Sequence, residues 1–584
     1  MSQSLGQDAW SSNESITRRA VTVVASALLA ASLVLWAASL RSIDLGRVTD
    51  VGLIAALPPT FFAALLLLTA SFVLAVGRRI VPLLFLQLGA QVLVLFGTPS
   101  FIEYGPRTQS AWRLAGIVDY IARNHSIDRG IDAFFNWPGF FILVAFVTKA
   151  TGLDSSLELA RWAPLFFNLA FLAPLFVIFR VLALSDRHVF VGLWIFVAGN
   201  WVGQDYLAPQ AFAYLIYLTM IAVVLAAFHA EDELASFPLL RRSQPGGHRV
   251  AAVGLVLVLQ LVLAPSHQLT PWMATLGVTA LVVVRRPPSF ALPLAMAVIA
   301  ATWVIFFTGP YLTGHIGDVA TPVGAVGQNV DANLPSRFEG GSAGHLLVLR
   351  VRVLFTLGLM VLGACGALVM RRRGTRLRTI GLLALAPFLL LGLQTYGGEL
   401  LLRSFFFSLP FVALAGAAAV TPLLSKPDWL RQLAATAVLF AVGIGLLAAR
   451  YGNEKMDFFT RDEVAAVRFV YAAAPAKARL FGADDNTPWQ FEHYTDFRHT
   501  ALSDSVVTNS RINEVVRQMN AAPRSSYLLL TRSQAASGEL FRGWSPRTLS
   551  NFRANLTRSG RFRVVFSNRD ATVLTLRAAA RPKR

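Results

Sequence analysis

Three short polar clusters interrupt an otherwise apolar chain, and each holds side chains able to move a proton or grip an anion. The first centres on Glu103, six residues past the end of a hydrophobic run at Gly97. A carboxylate there can take a proton from an acceptor hydroxyl or hold a divalent cation. It can equally be an interfacial acid paired with Arg107. The second is Asn200-Trp201-Val202-Gly203-Gln204-Asp205-Tyr206, a very short turn followed by Pro209 and Gln210. Polar groups crowded between two apolar runs are costly unless they line a watery cavity, which makes Gln204, Asp205 and Tyr206 site candidates, although a plain turn also uses Gly and Asp. The third is Ser266-His267-Gln268, with Thr270 and Trp272 just beyond. His267 can donate a proton, bind a metal or contact a phosphate; a single histidine capping a helix end is the commoner arrangement. Spacing alone assembles no Ser/His/Asp triad.

Cationic groups complete the set. Arg350 and Arg352 fall just inside one apolar run, and Arg403 begins another after Gln394, Tyr396 and Glu399. Guanidinium groups there can hold a lipid phosphate through paired hydrogen bonds, or simply snorkel to ordinary headgroups. Trp137, in Phe135-Asn136-Trp137-Pro138-Gly139, offers a sugar-stacking face, though packing is the usual role of an interfacial Trp. Asp119, Asp128, Asp132 and Asp154 read as solvated or capping residues. The chain has no Walker loop, no dinucleotide glycine fingerprint after a strand, and no CxxC or HExxH pair, which removes support for ATP-driven transport and soluble nucleotide chemistry.

The elements that must position these residues are membrane helices. Of 584 residues, 55% are hydrophobic and 14% charged, more apolar surface than one soluble core can hide. Apolar runs near 20–40, 51–77, 80–97, 162–183, 187–202, 206–229, 249–266, 268–284, 288–308, 346–370, 378–395, 402–424 and 430–450 give about thirteen candidate spans by length. The net charge of +20 is spread through the connections rather than gathered into a nucleic-acid stripe. Arg78 with Arg79, Arg180 with Arg187, Arg241 with Arg242 and Arg249, Arg285 with Arg286, Arg371 to Arg373, and Lys426 with Arg431 fall on alternate connections. With a cytoplasmic N-terminus (1–19), these basic connections are all cytoplasmic. The piece 140–147 is too short to cross, so it reads as re-entrant or surface-lying. The loop 98–161 is then wholly outside, with Leu114, Val118 and Ile121 marking a helix flat on the membrane surface. Glu103, Asp205, His267 and the start at Arg403 share that outer face.

After the membrane region (20–450) the composition changes. Helical patterns near 462–474 and 511–520, strand-like runs at 478–481, 526–531, 563–566 and 571–576, and a hairpin turn at 567–570 describe a small extracytoplasmic α/β domain over 451–584, ending in a disordered basic tail. The single cysteine, Cys365, lies in an apolar run and reads as a small core residue.

The ordered set resembles the GT-C superfamily of membrane glycosyltransferases, which includes protein mannosyltransferases, aminoarabinose transferases and actinobacterial arabinofuranosyltransferases. The resemblance rests on a long outer loop with an acid soon after a span (Glu103), a surface helix, Trp137-Pro138-Gly139 before a short apolar piece, and Gly152-Leu153-Asp154 with Ala160-Arg161-Trp162 before the next span. Asp205 follows as a second acidic turn two spans later. Two spans precede the loop where the family often has one, and Glu103 stands where many members use Asp. The resemblance implies inverting transfer of a sugar from a polyprenyl-phosphate donor to an envelope glycan or glycoprotein acceptor at the outer face of the plasma membrane. It implies that Glu103 activates the acceptor hydroxyl and that Asp205, with His267, shapes the acceptor site or a Mg or Mn site. Arg403 or Arg350 would hold the leaving phosphate. Two alternatives stay open: a polymerase or ligase joining lipid-diphosphate-linked chains, and a lipid or polysaccharide flippase. A transporter is expected to carry charges near the bilayer midplane and two matching halves; the acids here gather at one face.

Overall fold

Within the described residues, each of the thirteen apolar runs contains a helix, because a chain with so few charges must satisfy its backbone polar groups within the segment when no water is at hand. The structure, a computed structural model, describes residues 2–228, 247–285, 289–311, 313, 340–372, 374–392, 399–426, 428–522 and 525–577. Arg241, Arg242, Arg286, Arg373, Gln394, Tyr396, most of the connection 309–345 and the basic tail lie outside the described residues.

The membrane helices in chain order are α1 (Ser2–Leu40), α2 (Pro59–Arg78), α3 (Val81–Val92) and, after a π-turn at Leu93–Gly97, α4 (Thr98–Ile102). The loop helices α5 (Gln109–Asn124) and α6 (Gly139–Ala150) come next. Then follow α7 (Leu157–Leu182), α8 (Asp186–Gly199), α9 (Pro209–Ala227), α10 (Gly247–Leu263), α11 (Thr270–Arg285) and α12 (Ala291–Phe307). The last are α13 (Ala343–Met370), α14 (Gly374–Leu385), α15 (Leu400–Val420) and α16 (Trp429–Arg450). Among the described residues, eight helical stretches are long and apolar enough to cross a bilayer. The chain is a multi-pass membrane protein. The other five runs form shorter helices; α8, at 14 residues, rises only about 21 Å. The run at 51–77 also differs from its reading: helix begins at Pro59, and Gly52 turns the chain with φ +81°. There Leu53 donates its N–H to the Tyr451 carbonyl at 3.0 Å. The turn therefore packs on the chain just past α16 instead of crossing.

The core is aromatic and tightly shared. Phe72 of α2 stacks on Trp194 of α8 with centroids 4.1 Å apart, and Tyr214 of α9 lies 3.9 Å from Phe406 of α15. At one end of this bundle sits the α/β domain, joined through α17 (Glu454–Asp457). Its elements are α18 (Arg461–Ala473), β1 (Arg479–Gly482), β2 (Arg498–Ala501), α19 (Asp504–Thr508), α20 (Ile512–Asn520), β3 (Ser526–Thr531), α21 (Arg532–Arg542), α22 (Thr548–Arg558), β4 (Phe562–Ser567) and β5 (Ala571–Leu576). The five strands run in the order β2-β1-β3-β5-β4, with β1 parallel to both its neighbours and β5 antiparallel to β3 and β4. The tight β4–β5 turn joins them as a hairpin, with a register irregularity between Val564 and Phe566.

Helix α5 is where the structure departs from a membrane-surface reading. Its stripe of Leu114, Ile117, Val118 and Ile121 is buried against Phe135 and Phe140, Phe141 and Val144 of α6. Its other flank meets the terminal domain, with Trp112 edge-on to Phe491 at 5.2 Å. Protein covers both faces, so the apolar residues serve a domain junction instead of lipid. The junction is close enough that a Cβ on Gly116 would stand 1.6 Å from the Gln490 carbonyl. Gly116→Ala is therefore expected to separate the terminal domain from α5, at a cost of about 1–3 kcal/mol. The check is limited proteolysis, which should cut the variant between bundle and domain faster than wild type.

Candidate functional site

The bundle end that carries the terminal domain also gathers the polar clusters. Asp205 follows α8 and is fully buried. One carboxylate oxygen accepts from Arg450 Nη2 at 2.7 Å, and the other accepts from the Asn168 amide of α7. Asn168 accepts in turn from Asn200 at 2.8 Å. Arg450 ends α16, and its guanidinium lies 4.7 Å over the Phe96 ring. A buried arginine of this kind persists only because an acid meets it, since an uncompensated buried charge is very costly.

A small cavity of ≈ 30 Å³ opens beside this pair, lined among others by Ser100, Arg107, Arg161, Asp205, Tyr206 and Arg450. That is room for about one water. Arg161, at the start of α7, and Ser100 of α4 bond reciprocally through side chain and carbonyl at 2.7 Å, fixing the cavity's rim. Three arginines line this hollow, two of them already paired with acids, Arg107 with Glu454 and Arg450 with Asp205; guanidinium groups so held can add contacts to an anionic group at the bundle mouth.

Glu103 is not part of this lining, but it is within electrostatic reach of Arg107, which is. It is 2% exposed, and neither carboxylate oxygen meets a hydrogen-bond donor. Arg107 is not its partner. Arg107 donates through Nε and Nη2 to Glu454 at 2.8, 3.0 and 2.5 Å, and its Nη2 lies 3.6 Å from Asp457. The Thr108 amide donates to the Asp457 carbonyl at 2.8 Å, so the loop and α17 are stitched along several atoms. Burial, then the charge of Glu454, raises the Glu103 carboxyl well above the usual range, with Arg107 opposing. Burial likewise pushes Asp457 up to about 6.

Other sequence candidates are placed as follows. Tyr206 lines the cavity, and its hydroxyl accepts from the Gln210 amide at 2.8 Å. Gln204 is half-buried with its carbonyl oxygen unpartnered, and Gln268 is half-buried. His267 is buried and its Nδ1 accepts from the Thr270 amide at 3.1 Å, which caps the start of α11. Burial, then the charge of Arg403, holds its imidazole well below the ordinary value. Arg403 pairs with Glu399 at 2.8 Å. Trp137 is buried edge-on to Tyr311 at 5.3 Å. The neighbouring Gly139 amide donates to the Pro265 carbonyl at 2.9 Å, bringing that segment to the His267 turn. Arg350 is exposed on α13, whereas Arg352 donates to the Ala449 carbonyl at 2.8 Å and faces Asp457. Thus Asp205 and Tyr206 share one cavity, Glu103 lies near Arg107 of its wall, His267 and Arg403 form a second neighbourhood, and Arg350 stands apart.

The cation reading of Glu103 and Asp205 finds no ligand set. Asp205 commits both oxygens to Arg450 and Asn168. Among the described residues, no three His, Cys, Asp or Glu side chains converge as a metal site.

Sequence reasoning passed over Arg450, Glu454, Asp457, Asn168 and Arg161 as site residues. Asn168 carried a signal, since a lone amide inside a span needs a partner. Arg450 at the end of a span looks like any snorkelling arginine.

No protein-family model matches the chain, and no curated protein matches it. Among solved structures it is similar to the Archaeoglobus fulgidus oligosaccharyltransferase tethered with an acceptor peptide containing the NVT sequon. The identity is 12% over 80% of this chain and 71% of that one, with a TM-score of 0.48. The same archaeal enzyme, AglB, in complex with an inhibitory peptide and a dolichol-phosphate gives 12% identity, the same coverages and a TM-score of 0.49. ArnT from Cupriavidus metallidurans bound to undecaprenyl phosphate gives 13% identity over 85% of this chain and 99% of that one, with a TM-score of 0.48.

Proposed function

We propose that the chain is a membrane glycosyltransferase that moves a sugar from a polyprenyl-phosphate carrier to a hydroxyl of an envelope glycan or glycoprotein. The reading is carried by one observation: an arginine-lined cavity holding Asp205 and Tyr206 stands at the mouth of a membrane bundle, with the buried carboxyl of Glu103 within electrostatic reach of Arg107 in its wall. A greasy carrier can bring a phosphate to that height without leaving the bilayer. In the proposed reaction the acceptor oxygen bonds to the anomeric carbon and its proton passes to Glu103. The bond from that carbon to the phosphate oxygen breaks, and its electron pair leaves with the carrier phosphate. Arg161, Arg107 and Arg450 offset the charge left there. Asp205 holds Arg450 in place and fixes the acceptor side of the cavity. His267 and Arg403, with Gln268, form a neighbouring surface for the acceptor or the carrier.

We place the site on the outer face of the plasma membrane, with residues 1–19 cytoplasmic and 451–584 outside. The support is the alternation of basic connections, such as Arg78 with Arg79 and Arg180 with Arg187, at the end opposite Glu103 and Asp205. Mass-spectrometric comparison of envelope glycans and polyprenyl-phosphate sugars in cells with and without the protein tests the reading. Loss of one glycan linkage with build-up of one lipid-linked sugar is expected; unchanged pools of both contradict it.

A further inference from the structure

Glu103 and Arg107 are four residues apart on the same loop, both buried, and yet the arginine turns away from the acid. Its guanidinium makes three contacts with Glu454, the nearest at 2.5 Å, and reaches Asp457 at 3.6 Å, both residues of α17. It also lies 4.6 Å over the Tyr451 ring. Glu454 is itself fully buried. No N–H or hydroxyl group donates to either oxygen of Glu103; its carboxyl lies against that of Glu454, a contact that requires a proton on one of the two.

We infer that Glu454 is a positioning residue that holds Arg107 to itself, keeping Glu103 free of a cation partner so that it can accept a proton from the acceptor hydroxyl. This rests on the reading of Glu103 as the base. The groups that bear on Glu103 are Arg107 from its own loop and Glu454 and Asp457 from α17. Arg352 of α13 and Arg450 of α16 act on Asp457, and Arg450 is itself neutralised by Asp205. Arg107 is thus the cation whose allegiance decides the base. The negative charge of Glu454 also favours the proton on Glu103, so Glu103 acts as a base only above the pH at which it gives that proton up. The peptide joining bundle to terminal domain supplies this control, and so the terminal domain is tied to the chemistry through Glu454 and Asp457 of α17.

The test is a pH–rate profile of sugar transfer by the full-length protein in proteoliposomes. Glu454→Gln removes a negative neighbour and frees Arg107 for Glu103. Both changes lower the affinity of Glu103 for its proton, so the acid limb is expected to move down by about 1–3 pH units, with a lower plateau rate. Adding Arg107→Gln to that variant is expected to bring the limb back up. Glu454→Asp, which keeps the charge, is expected to leave the limb near wild type. An unmoved limb in Glu454→Gln, with Glu103→Gln inactive, overturns the inference while leaving the base assignment standing. Full activity of Glu103→Gln removes the base assignment instead. Infrared titration of the carboxyl band that disappears in Glu103→Gln reads the same shift without any transfer; a band titrating identically in wild type and Glu454→Gln overturns the inference. If Glu454→Gln does not fold, Asp457→Asn is expected to move the limb the same way by less, and no movement there also overturns it.

Discussion

Glu103→Gln, purified and reconstituted, is expected to transfer sugar about a hundred- to ten-thousand-fold more slowly than wild type, the usual weight of a positioned general base. The substitution keeps the size of the side chain and removes only the ability to take a proton. No cation or backbone donor serves either oxygen of Glu103, so the change breaks no ion pair, and the new amide can still donate to the neighbouring Glu454 carboxylate. Folding should be unharmed, and the thermal midpoint should stay at or above that of wild type, since a buried carboxyl held against its charged form is relieved by a neutral amide. The diagnostic result is thus lost turnover in an intact protein. Turnover near wild type removes Glu103 from the reaction.

Asp205→Asn has the opposite character. It strands the Arg450 guanidinium, which is 2% exposed and has Asp205 at 2.7 Å. Leaving such a charge uncompensated costs about 3–5 kcal/mol, a large part of any membrane protein's margin, and the variant is expected to unfold at markedly lower temperature. Arg450→Met on top of Asp205→Asn should recover much of that loss, because replacing both members of a buried pair by neutral groups of similar size is often tolerated. The doubly changed protein is nevertheless expected to transfer sugar more slowly than wild type, for it lacks one of the three arginines at the cavity. Thermal unfolding in detergent, followed for the two singles and the double, gives the coupling directly. If Asp205→Asn unfolds with wild type, the pair is not the structural post described here. Activity loss in that variant says little by itself about chemistry.

Much of the membrane region was legible because bilayer thickness imposes its own ruler. Runs such as 20–40, 402–424 and 430–450 needed only counting, and the short piece at 140–147 was read as unable to cross for the same reason. The run at 51–77 was misjudged at its start, since Val51 to Leu57 are as apolar as a span yet are spent packing around Tyr451. The stripe on α5 was legible as a helix face but not its covering: Leu114 and Val118 look the same whether lipid or Phe140 lies opposite. In the terminal domain, Tyr527 to Leu530 and Val573 to Leu574 carry the strand pattern openly. Arg498 to Ala501 do not, because the strand is only four residues long, has no large apolar side chain and buries none of its residues fully. α21 and α22 escaped because so much of their length is Arg, Ser and Asn.

The site was legible in halves. Glu103 and Asp205 betray themselves by being acids at the ends of spans, and the alternation of arginines puts them at one end. Their partners do not. Arg450 is 245 residues from Asp205, and Glu454 is 347 from Arg107. Only the packing of α16 against α8 and the docking of α17 on the loop bring them together. An arginine closing a span and an acid in a connecting turn are both ordinary on their own.

The central claim is that the donor reaches this cavity as a lipid-linked phosphate. Proteoliposomes holding the purified protein, supplied with a polyprenyl-phosphate sugar and an acceptor glycan, should release free polyprenyl phosphate and sugar-extended acceptor in equal amounts, and Glu103→Gln should release neither. A nucleotide sugar offered in its place should yield nothing. Extension of the acceptor from the nucleotide sugar alone, with no polyprenyl phosphate set free, would contradict the account.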